Sequence, residues 1–557
     1  MSTTPTSYED DEKRSISLDS GGKGLQKSDS EIENEGAGNV QLVVEDAAAL
    51  GLKTADDGKT ILVPQPSDDP RDPLNWSATK KGLMLAILAL AAFGGDFQSG
   101  AGIPLLESQG EEWGMTPTAV NRAGNLNVLF LGIGGLIWIP PLYFWGRLPV
   151  LFWTQFIGTF LVLGSALATS FETYYVLRPL TSVFLTAGQT IGLTFIHDMY
   201  FKHQYAQKIG IWVAIFLASP YCGPFFGGFM LDNLNNHWRY VLWLVFAYCA
   251  ILLLLIVLFA DETWYPRGLG IELNRPTGVY GRFLNLTGVT AFRERQYKAK
   301  ISHSCMRLIE VFFKPVVLIS FFVYMLSFMW AVDKLNLSCL NFRYTRSNTF
   351  SFFRSSLRIN VTSSIIFSLP KPIGYGFDLN TISFLYFTPL VALTIGELFG
   401  HFANDKVAAS YIRRHNGLFK PEVRLYVYFG AACLMIAGLN IVGSALEHTL
   451  HVSAVIVGWG SYVVGVMIAS VAITAYALDC YPSASGEVSA AINLGRTTGG
   501  FAVGYFELEW GMSAGFDVSF GIQSAIVGFA TLLVVGLVIF GERLRKWAGP
   551  LHFAQKH

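Results

Sequence analysis

The chain has 557 residues, of which 52% are hydrophobic and only 14% are charged, and its formal net charge is zero. Soluble domains carry roughly a quarter charged residues, so this composition indicates an integral membrane protein and argues against a soluble one. The balanced charge provides no basic field, so nucleic acid is excluded as an expected partner.

The first segment, residues 1–77, is predicted to be a disordered cytoplasmic tail. About the first 66 residues are rich in Ser, Asp, Glu, Lys and Gly and lack apolar periodicity, so they cannot bury a core. They contain no apolar stretch of the signal-peptide kind, so we expect no cleaved signal. Trp76 and the Lys80-Lys81 pair precede the first apolar run, which is typical of an anchor at the cytoplasmic face.

Twelve apolar segments follow, each near the roughly 20 residues that an α-helix needs to cross a bilayer. In the first half they cover about 82–104, 119–142, 148–168, 175–197, 209–231 and 240–260. In the second half they cover about 315–332, 380–402, 425–445, 452–476, 488–508 and 518–540. The sequence therefore predicts an all-α membrane protein with twelve transmembrane helices.

The loop charges predict how the chain is oriented and divided. Basic residues are concentrated after the second, fourth, sixth and eighth segments and at the C-terminus, so both termini are predicted to be cytoplasmic. We expect six-helix bundles at 78–262 and 315–542, joined by a basic cytoplasmic loop at 263–314. Residues 543–557 are then a cytoplasmic C-terminal tail.

The fifth segment contains a stripe of small residues. Ser219, Gly223 and Gly227 recur at every fourth position and so share one face of a helix, with Pro224 and Gly228 beside them. Gly and Pro destabilise a soluble helix, but neighbouring helices compensate for them in a membrane. The stripe predicts a bent helix in close contact with another helix, either as part of the transport machinery or as plain packing.

Several motifs resemble those of a known family. Ser219-x-x-x-Gly223-Pro224-x-x-Gly227-Gly228 is similar to the antiporter signature of major facilitator superfamily drug transporters, which carry Gly where this chain has Ser219. Five further stretches resemble the fungal twelve-span drug:proton antiporter branch, namely 72–76 (Asp-Pro-Leu-Asn-Trp), 237–240 (His-Trp-Arg-Tyr), 261–267 (Asp-Glu-Thr-Trp-Tyr-Pro-Arg), 421–425 (Pro-Glu-Val-Arg-Leu) and 476–482 (Tyr-Ala-Leu-Asp-Cys-Tyr-Pro). The likeness covers about residues 68–547. It implies the major facilitator fold, in which two six-helix bundles rock around a central cavity.

One motif departs from the family pattern. In the loop after the second segment the superfamily usually has an acidic residue and a basic residue, followed by Gly-Arg-Arg or Gly-Arg-Lys. Here Gly146 and Arg147 match, but Tyr143 and Phe144 stand where the ion-pairing residues are expected, and Leu148 replaces the second base. The cytoplasmic latch that this motif supplies in relatives is therefore not predicted to be complete.

Among the ionisable residues within apolar segments, four stand out, namely Asp96, Arg178, Glu397 and Arg496. Each costs a few kcal/mol to insert, so each is a functional candidate for coupling protons to substrate. Asp96 follows Gly94-Gly95, and a carboxyl group in a partly dry cavity can take up and release a proton near neutral pH. The alternative for Asp96 is a solvated position in the outer vestibule.

The other three candidates also have alternatives. Arg178 lies in a context that resembles the superfamily's arginine motif on the fourth helix, with Ser182 for its Gly, and could hold a carboxylate or lie at an interface. Glu397 could be a proton site, a ligand for a cationic substrate or the partner of a nearby base. Arg496 lies about ten residues into the eleventh segment and could instead bridge helices to close the cytoplasmic side.

Residues 333–359 do not fit the pattern of the other loops. They carry five basic residues on the side predicted to be extracellular, and deleting them would join 330–332 to 360–364 as in relatives. We expect a retained intron in the gene model. The alternative is a genuine extracellular loop with Asn336 and Asn360 as glycosylation acceptors.

The sequence favours transport over catalysis. It has no Gly-rich phosphate loop and no nucleophile–base pair, and its six cysteines have neither CxxC nor metal-ligand spacing, so we expect no catalytic residue, no cofactor and no metal. The resemblance implies proton-coupled efflux of small organic molecules across the plasma membrane by a monomer, with protons, substrate and the lipid bilayer as its partners. Alternatives are proton symport of a nutrient or polyamine-like cation, or a non-transporting sensor. We expect the stripe on the fifth segment to form the contact between the two halves that seals the cavity.

Overall fold

The computed structural model describes residues 53, 62, 64–267, 275, 276, 278–298, 300–333, 377, 379–415, 420–505, 510, 513–549 and 551. Three predictions concern residues outside this set. They are most of the predicted disordered tail (1–77), the insertion from residue 334 onward with its acceptors Asn336 and Asn360, and the chain end at 552–557. The last part of the tail is ordered, since Pro73–Asn75 forms a 3₁₀ turn and the buried Asp72 pairs with Arg267 at 2.8 Å.

The first half contains six main helices. They are α1 (Ala78–Ala101), α2 (Pro117–Ile137, continued by Ile139–Phe144), α3 (Arg147–Leu167), α4 (Phe171–Leu185 and Ala187–Met199), α5 (Lys202–Asn233) and α6 (Arg239–Phe259). Side-chain caps explain several of their starts, because Ser77, Thr116 and Ser170 each accept a bond from the backbone N–H three residues on. A helix at Leu106–Trp113 and short 3₁₀ turns at Pro73–Asn75 and Ile103–Leu105 complete this half.

A linker and six more helices follow. The linker contains Gly278–Thr287, Val289–Arg293, Ile301–Phe312 and a 3₁₀ turn at Glu294–Tyr297. The second half consists of α7 (Pro315–Asp333), α8 (Leu379–Leu385 and Phe387–Arg414), α9 (Tyr426–Glu447), α10 (Val452–Cys480), α11 (Ser485–Val503) and α12 (Phe516–Ala548). Short 3₁₀ turns at Pro421–Leu425 and Pro482–Ala484 precede α9 and α11.

Helices occupy all twelve predicted positions. Ten of the described helices are long and apolar enough to cross a membrane, and the count is eleven if Ile301–Phe312 and Pro315–Trp330, bent by 69°, are taken as one span. α11 is not among the ten, because Gly, Ser, Thr and Arg496 interrupt its apolar residues. The fold is that of an all-helical membrane protein.

The helices pack as two groups that touch along two seams. Within the first half α1 packs on α5 and α2 on α4, and within the second half α9 packs on α10 and α7 on α11. Between the halves, α2 packs on α11 and α5 on α8. We call the end of the molecule that carries the connection from α6 to α7 the linker end.

The two halves are in contact at both ends of these seams. At the linker end, Ser485 Oγ lies 3.1 Å from His197 Nδ1, which joins the start of α11 to the end of α4. At the opposite end, Asn125 Nδ2 of α2 donates to the Gly504 carbonyl beyond α11 at 3.0 Å. The described parts of the two halves therefore touch toward both ends of the molecule.

Candidate functional site

The central feature of the interface is an ion pair. Arg496 Nη2 of α11 lies 2.8 Å from Asp96 Oδ2 of α1, and the two side chains are only 3% and 8% exposed. The structure thus brings together two of the four charges singled out in the sequence, one from each half. Arg496 also lies over the ring of Phe216 on α5, 4.9 Å from the ring centroid, which excludes water on that side.

Neutral polar side chains form hydrogen bonds with both members of this ion pair. Gln189 Nε2 donates to Asp96 Oδ2 at 3.1 Å and to the Ala92 carbonyl at 3.1 Å, while Asn493 Oδ1 accepts from Arg496 Nη2 at 3.0 Å. These hydrogen bonds offset part of the cost of burying two charges. The sequence reasoning missed Gln189 and Asn493, although a buried amide in an apolar segment is itself a signal of a polar network.

Arg178 lies in a separate buried cluster on α4. Its Nη1 donates to Gln98 Oε1 at 2.6 Å and its Nη2 to the Ser99 carbonyl at 3.3 Å, both on α1. Gln98 in turn donates to Ser182 Oγ at 2.8 Å and to Asn127 Oδ1 at 3.2 Å. Arg178 therefore binds an amide and a carbonyl of α1, and its predicted coupling role remains a prediction.

Glu397 lies on α8, on the side that faces α5. Its side chain is 5% exposed; Oε1 lies 3.1 Å from His401 Nε2, one turn further on, and Oε2 has no hydrogen-bond partner among the described residues. His401 in turn lies against Gly210 of α5, since a Cβ atom there would be 3.0 Å from Nε2. Glu397 is thus a buried carboxylate at the second seam, with capacity for one more donor.

Tyr324 of α7 lies near three of these charged groups. Its hydroxyl is 2.7 Å from Ser470 Oγ of α10. The oxygen interacts electrostatically with three charged groups, those of Asp96, Glu397 and Arg496. Three of the four predicted charges are therefore near one tyrosine of α7, and Arg178 is bound separately to α1.

The glycines Gly223 and Gly227 of the stripe on α5 pack against α1 of their own half, and the role expected for the stripe in sealing the two halves remains a prediction. A Cβ atom on Gly223 would lie 2.5 Å from the Ala101 nitrogen and 2.8 Å from the Phe97 carbonyl, both on α1. A Cβ atom on Gly227 would meet Pro104 Cγ at 3.0 Å, just past the end of α1. The stripe fits α5 against a helix of its own half, because residues four apart face one direction only.

The remaining stripe residues support the same packing. Ser219 is fully buried and its hydroxyl donates to the Phe216 carbonyl of its own helix at 2.6 Å. Pro224 and Gly228 are buried as well. A neighbouring face of α5 contacts the second half, where Phe225 lies 4.7 Å from Phe387 of α8, centroid to centroid.

At the linker end, Tyr143 takes part in a junction of three elements. Its hydroxyl donates to Glu487 Oε2 of α11 at 3.3 Å, and Arg307 of the linker helix Ile301–Phe312 forms an ion pair with Glu487. Arg307 Nη2 also donates to the Ser483 carbonyl at 2.6 Å. The residues that depart from the family motif thus still join α2 to α11, through a phenol and an arginine of the linker.

Gly146 and Arg147 hold the start of α3. Gly146 has φ +122°, and a Cβ atom there would lie 2.7 Å from Glu262 Oε2. Glu262 accepts from the backbone N–H groups of Arg147 and Leu148 at 3.2 and 3.1 Å, so it neutralises the N-terminus of α3. The Arg147 side chain pairs with Asp198 at the end of α4 at 3.0 Å.

The charges around Glu262 set its protonation. Burial raises the pKa of this carboxyl, but the combined charges of Lys298, Arg275 and Arg147 outweigh burial, so its pKa lies below the ordinary value. Glu262 is therefore held ionised where the linker meets the first half.

The comparisons with known proteins agree with this architecture. The sequence model of the Major Facilitator Superfamily matches residues 84–505. An uncharacterized MFS-type transporter of Schizosaccharomyces pombe is 21% identical, over 89% of this chain and 90% of that protein. The protein HOL1 of Saccharomyces cerevisiae is 22% identical, over 89% and 92%. The multidrug transporter FLR1 of Candida glabrata is 32% identical over 32% of each chain.

Solved structures show the same fold. The proton:xylose symporter XylE, bound to 6-bromo-6-deoxy-D-glucose, superposes with a TM-score of 0.55 over 84% of this chain and 96% of that one, at 14% identity. At this identity the likeness concerns the arrangement of helices and not the ligand.

Proposed function

Because the chain belongs to the major facilitator superfamily and is a secondary transporter, we propose that it exchanges protons for a small organic molecule and so exports that molecule. The observation that carries this proposal is the buried Asp96–Arg496 pair, which joins α1 of one half to α11 of the other. A proton on Asp96 removes one charge of the pair and leaves Arg496 uncompensated in a region with little access to water. That cost favours a rearrangement of the halves.

The exchange follows from competition for these charged groups. With Asp96 ionised, the pair with Arg496 holds the halves together and the substrate region is closed. Uptake of a proton from the outer side releases Arg496, and release of that proton to the cytoplasm restores the pair. Substrate bound between the halves favours one of these two states, with Asp96 either protonated or paired, over the other. Proton uptake and release are therefore coupled to movement of the substrate, which the proton gradient drives.

Alternating access also needs contacts that break at one end at a time. The Tyr143–Glu487–Arg307 junction at the linker end and the Asn125–Gly504 contact at the opposite end are suited to this role. We assign the linker end to the cytoplasm, since the basic loops lie there, and place both chain termini on that side. We further propose a monomer in the plasma membrane, with the bundles bounded as 78–262 and 315–542.

The test is transport into inside-out vesicles. Vesicles from cells that express the chain are prepared with an acidic lumen. A panel of labelled small organic cations and neutral aromatic compounds is then added to the outside solution. Antiport predicts that at least one compound accumulates in the lumen, and that collapse of the pH gradient with a protonophore abolishes accumulation. Vesicles from cells that lack the chain provide the background.

A second candidate is symport of an organic cation into the cell. The observation that favours it is Glu397, whose Oε2 has no hydrogen-bond partner among the described residues and so has room for a cationic donor. In the same vesicles a symporter would expel a preloaded compound when the lumen is acidic. No gradient-dependent movement of any compound in either direction would contradict both transport proposals and favour a sensor.

A further inference from the structure

The first two helical pieces of the linker contain both buried and exposed apolar side chains. We refer to Gly278–Thr287 together with Val289–Arg293 as the linker helix pair. Leu284 and Leu286 are buried against the protein. Val279, Tyr280 and Phe283 are instead 90%, 71% and 61% exposed. They share one face, because residues three or four apart lie side by side on a helix.

The linker helix pair is fixed to the ends of two transmembrane helices. Arg282 Nε donates to the Val257 carbonyl at 2.6 Å and Arg282 Nη2 to the Ala260 carbonyl at 3.1 Å, which satisfies the last turn of α6. Trp153 Nε1 of α3 donates to the Thr287 carbonyl at 3.3 Å. These bonds hold the pair across the linker end of α3 and α6.

The position of the pair places its exposed face beside the lipid. α6 itself exposes large apolar side chains toward its linker end, among them Leu254, Leu258 and Phe259. In a membrane protein such side chains face acyl chains. Because Arg282 binds the carbonyls of α6 within a turn of Leu258, the exposed face of the pair begins where this lipid-facing surface ends.

The charges within the pair have one sign, and the acidic Asp261 beyond α6 lies 3.5 Å from Arg282. From Gly278 to Arg293 the sequence contains two arginines and no acidic residue, and Arg295 follows directly. Arg293 and Arg295 are exposed, whereas the neighbouring Glu294 is buried and paired with Arg275 at 2.8 Å. A helix with exposed aromatic residues and exposed arginines is typical of the membrane surface, where anionic headgroups attract the basic side chains.

We propose that the linker helix pair is a membrane-surface element. It lies in the headgroup layer at the linker end, inserts Val279, Tyr280 and Phe283 among the acyl chains and binds anionic phospholipid through Arg293 and Arg295. Exposure to water would leave a contiguous apolar face unpaired, whereas the adjacent leaflet covers it without any partner protein. This inference does not depend on the direction of transport.

Spin-label accessibility of the full chain in lipid nanodiscs tests the proposal. The label is attached to Phe283→Cys in a background in which the exposed Cys305 and Cys433 are replaced by Ser. His448→Cys, in the exposed turn after α9, is the matched aqueous control. We expect collisions with oxygen to exceed collisions with a water-soluble nickel complex at position 283 and the reverse at 448. Nickel access at 283 equal to that at 448 overturns the proposal and leaves the face open to a protein partner.

The lipid charge is tested with the same label. Discs that contain phosphatidylserine should raise the oxygen-to-nickel ratio at 283 above that in phosphatidylcholine discs, and the double change Arg293→Glu and Arg295→Glu should abolish the difference. Equal ratios in the two lipids for the parent protein overturn the anionic preference. A label at Val279→Cys provides a second reporter if Phe283→Cys lowers the melting temperature of the protein.

Discussion

The guanidinium of Arg496 and the carboxylate of Asp96, 400 positions apart in the chain, lie 2.8 Å from each other in the interior of the molecule. The pair joins α1 of the first half to α11 of the second, and Gln189 of α4 donates a hydrogen bond to the same carboxylate oxygen. One proton on this carboxylate therefore changes the contact between the two halves directly.

Asp96→Asn should abolish proton-driven accumulation in inside-out vesicles. The change leaves Arg496 buried without its counter-charge, at a cost on the order of 3–5 kcal/mol, and removes the group that binds the proton. Flux is measured with and without the pH gradient, and stability by thermal unfolding of the purified protein. The control is Asp517→Asn, at a surface carboxylate that pairs with His448 at 3.2 Å, and it should leave proton-driven flux unchanged.

The double change Asp96→Asn and Arg496→Gln separates coupling from folding. It removes both charges, so stability should return toward that of the unmodified protein while proton-driven flux stays lost. Gradient-driven accumulation at the unmodified rate in Asp96→Asn would show that the proton binds elsewhere, with Glu397 as the next group to replace.

A charge exchange tests the junction at the linker end. Arg307→Glu or Glu487→Arg alone places like charges together in a site where the Glu487 side chain is fully buried, so either should lower the transport rate at least tenfold, on the order of a 1.4 kcal/mol change in barrier. The double exchange restores opposite charges and should recover part of the rate. Lys300→Glu, at an exposed position on the same linker, is the control. If the double exchange transports no faster than either single variant, the Arg307–Glu487 ion pair does not control opening at the linker end.

Gly223→Ala should lower the melting temperature, because the added Cβ atom meets backbone atoms of α1 at 2.5–2.8 Å that cannot rotate away. Gly430→Ala is the matched control on α9, where a Cβ atom meets nothing within 4 Å; there the better helix propensity of Ala should stabilise by up to about 1 kcal/mol. Equal melting of the two variants would contradict the close approach of α5 to α1.

Gly227→Leu tests the same contact by its effect on transport. The larger side chain would push α5 away from Pro104 and α1, so we expect flux to be lost while the protein still reaches the membrane. Vesicle transport and the amount of protein in the membrane fraction are measured together. Unmodified flux in this variant would mean that the stripe serves packing alone.

Stability should fall on acidification, with Glu262 as one cause. Its folded pKa lies below the ordinary value, so as the pH falls the unfolded chain takes up a proton first, and stability present at neutral pH is lost from about pH 5 downward. Glu262→Gln should lower the melting temperature at pH 7 and flatten its decline below pH 5. Glu111→Gln, at an exposed carboxylate, is the control. An unchanged decline in Glu262→Gln would contradict this assignment.

Much of the architecture follows from the sequence because its cause is local. A run of about 20 apolar residues can satisfy its backbone within a bilayer only as a helix, so each of the twelve predicted segments is helical in the structure. Because burying a charge in a membrane is costly, Asp96, Glu397 and Arg496 can be identified as functional candidates from the sequence alone, whichever partners they have.

The partners of these residues were decided by tertiary structure. The spacing of Ser219, Gly223 and Gly227 determines that they share a face, but only the rotation and placement of α5 decide that Gly223 and Gly227 meet α1. The sequence predicted an incomplete cytoplasmic latch at Tyr143. In the structure Tyr143 donates to Glu487, and Arg307 of the linker forms an ion pair with the same carboxylate. Periodicity acts along one helix, whereas the contact between Asp96 and Arg496 depends on how two distant helices pack, and no local pattern in the chain encodes that distance.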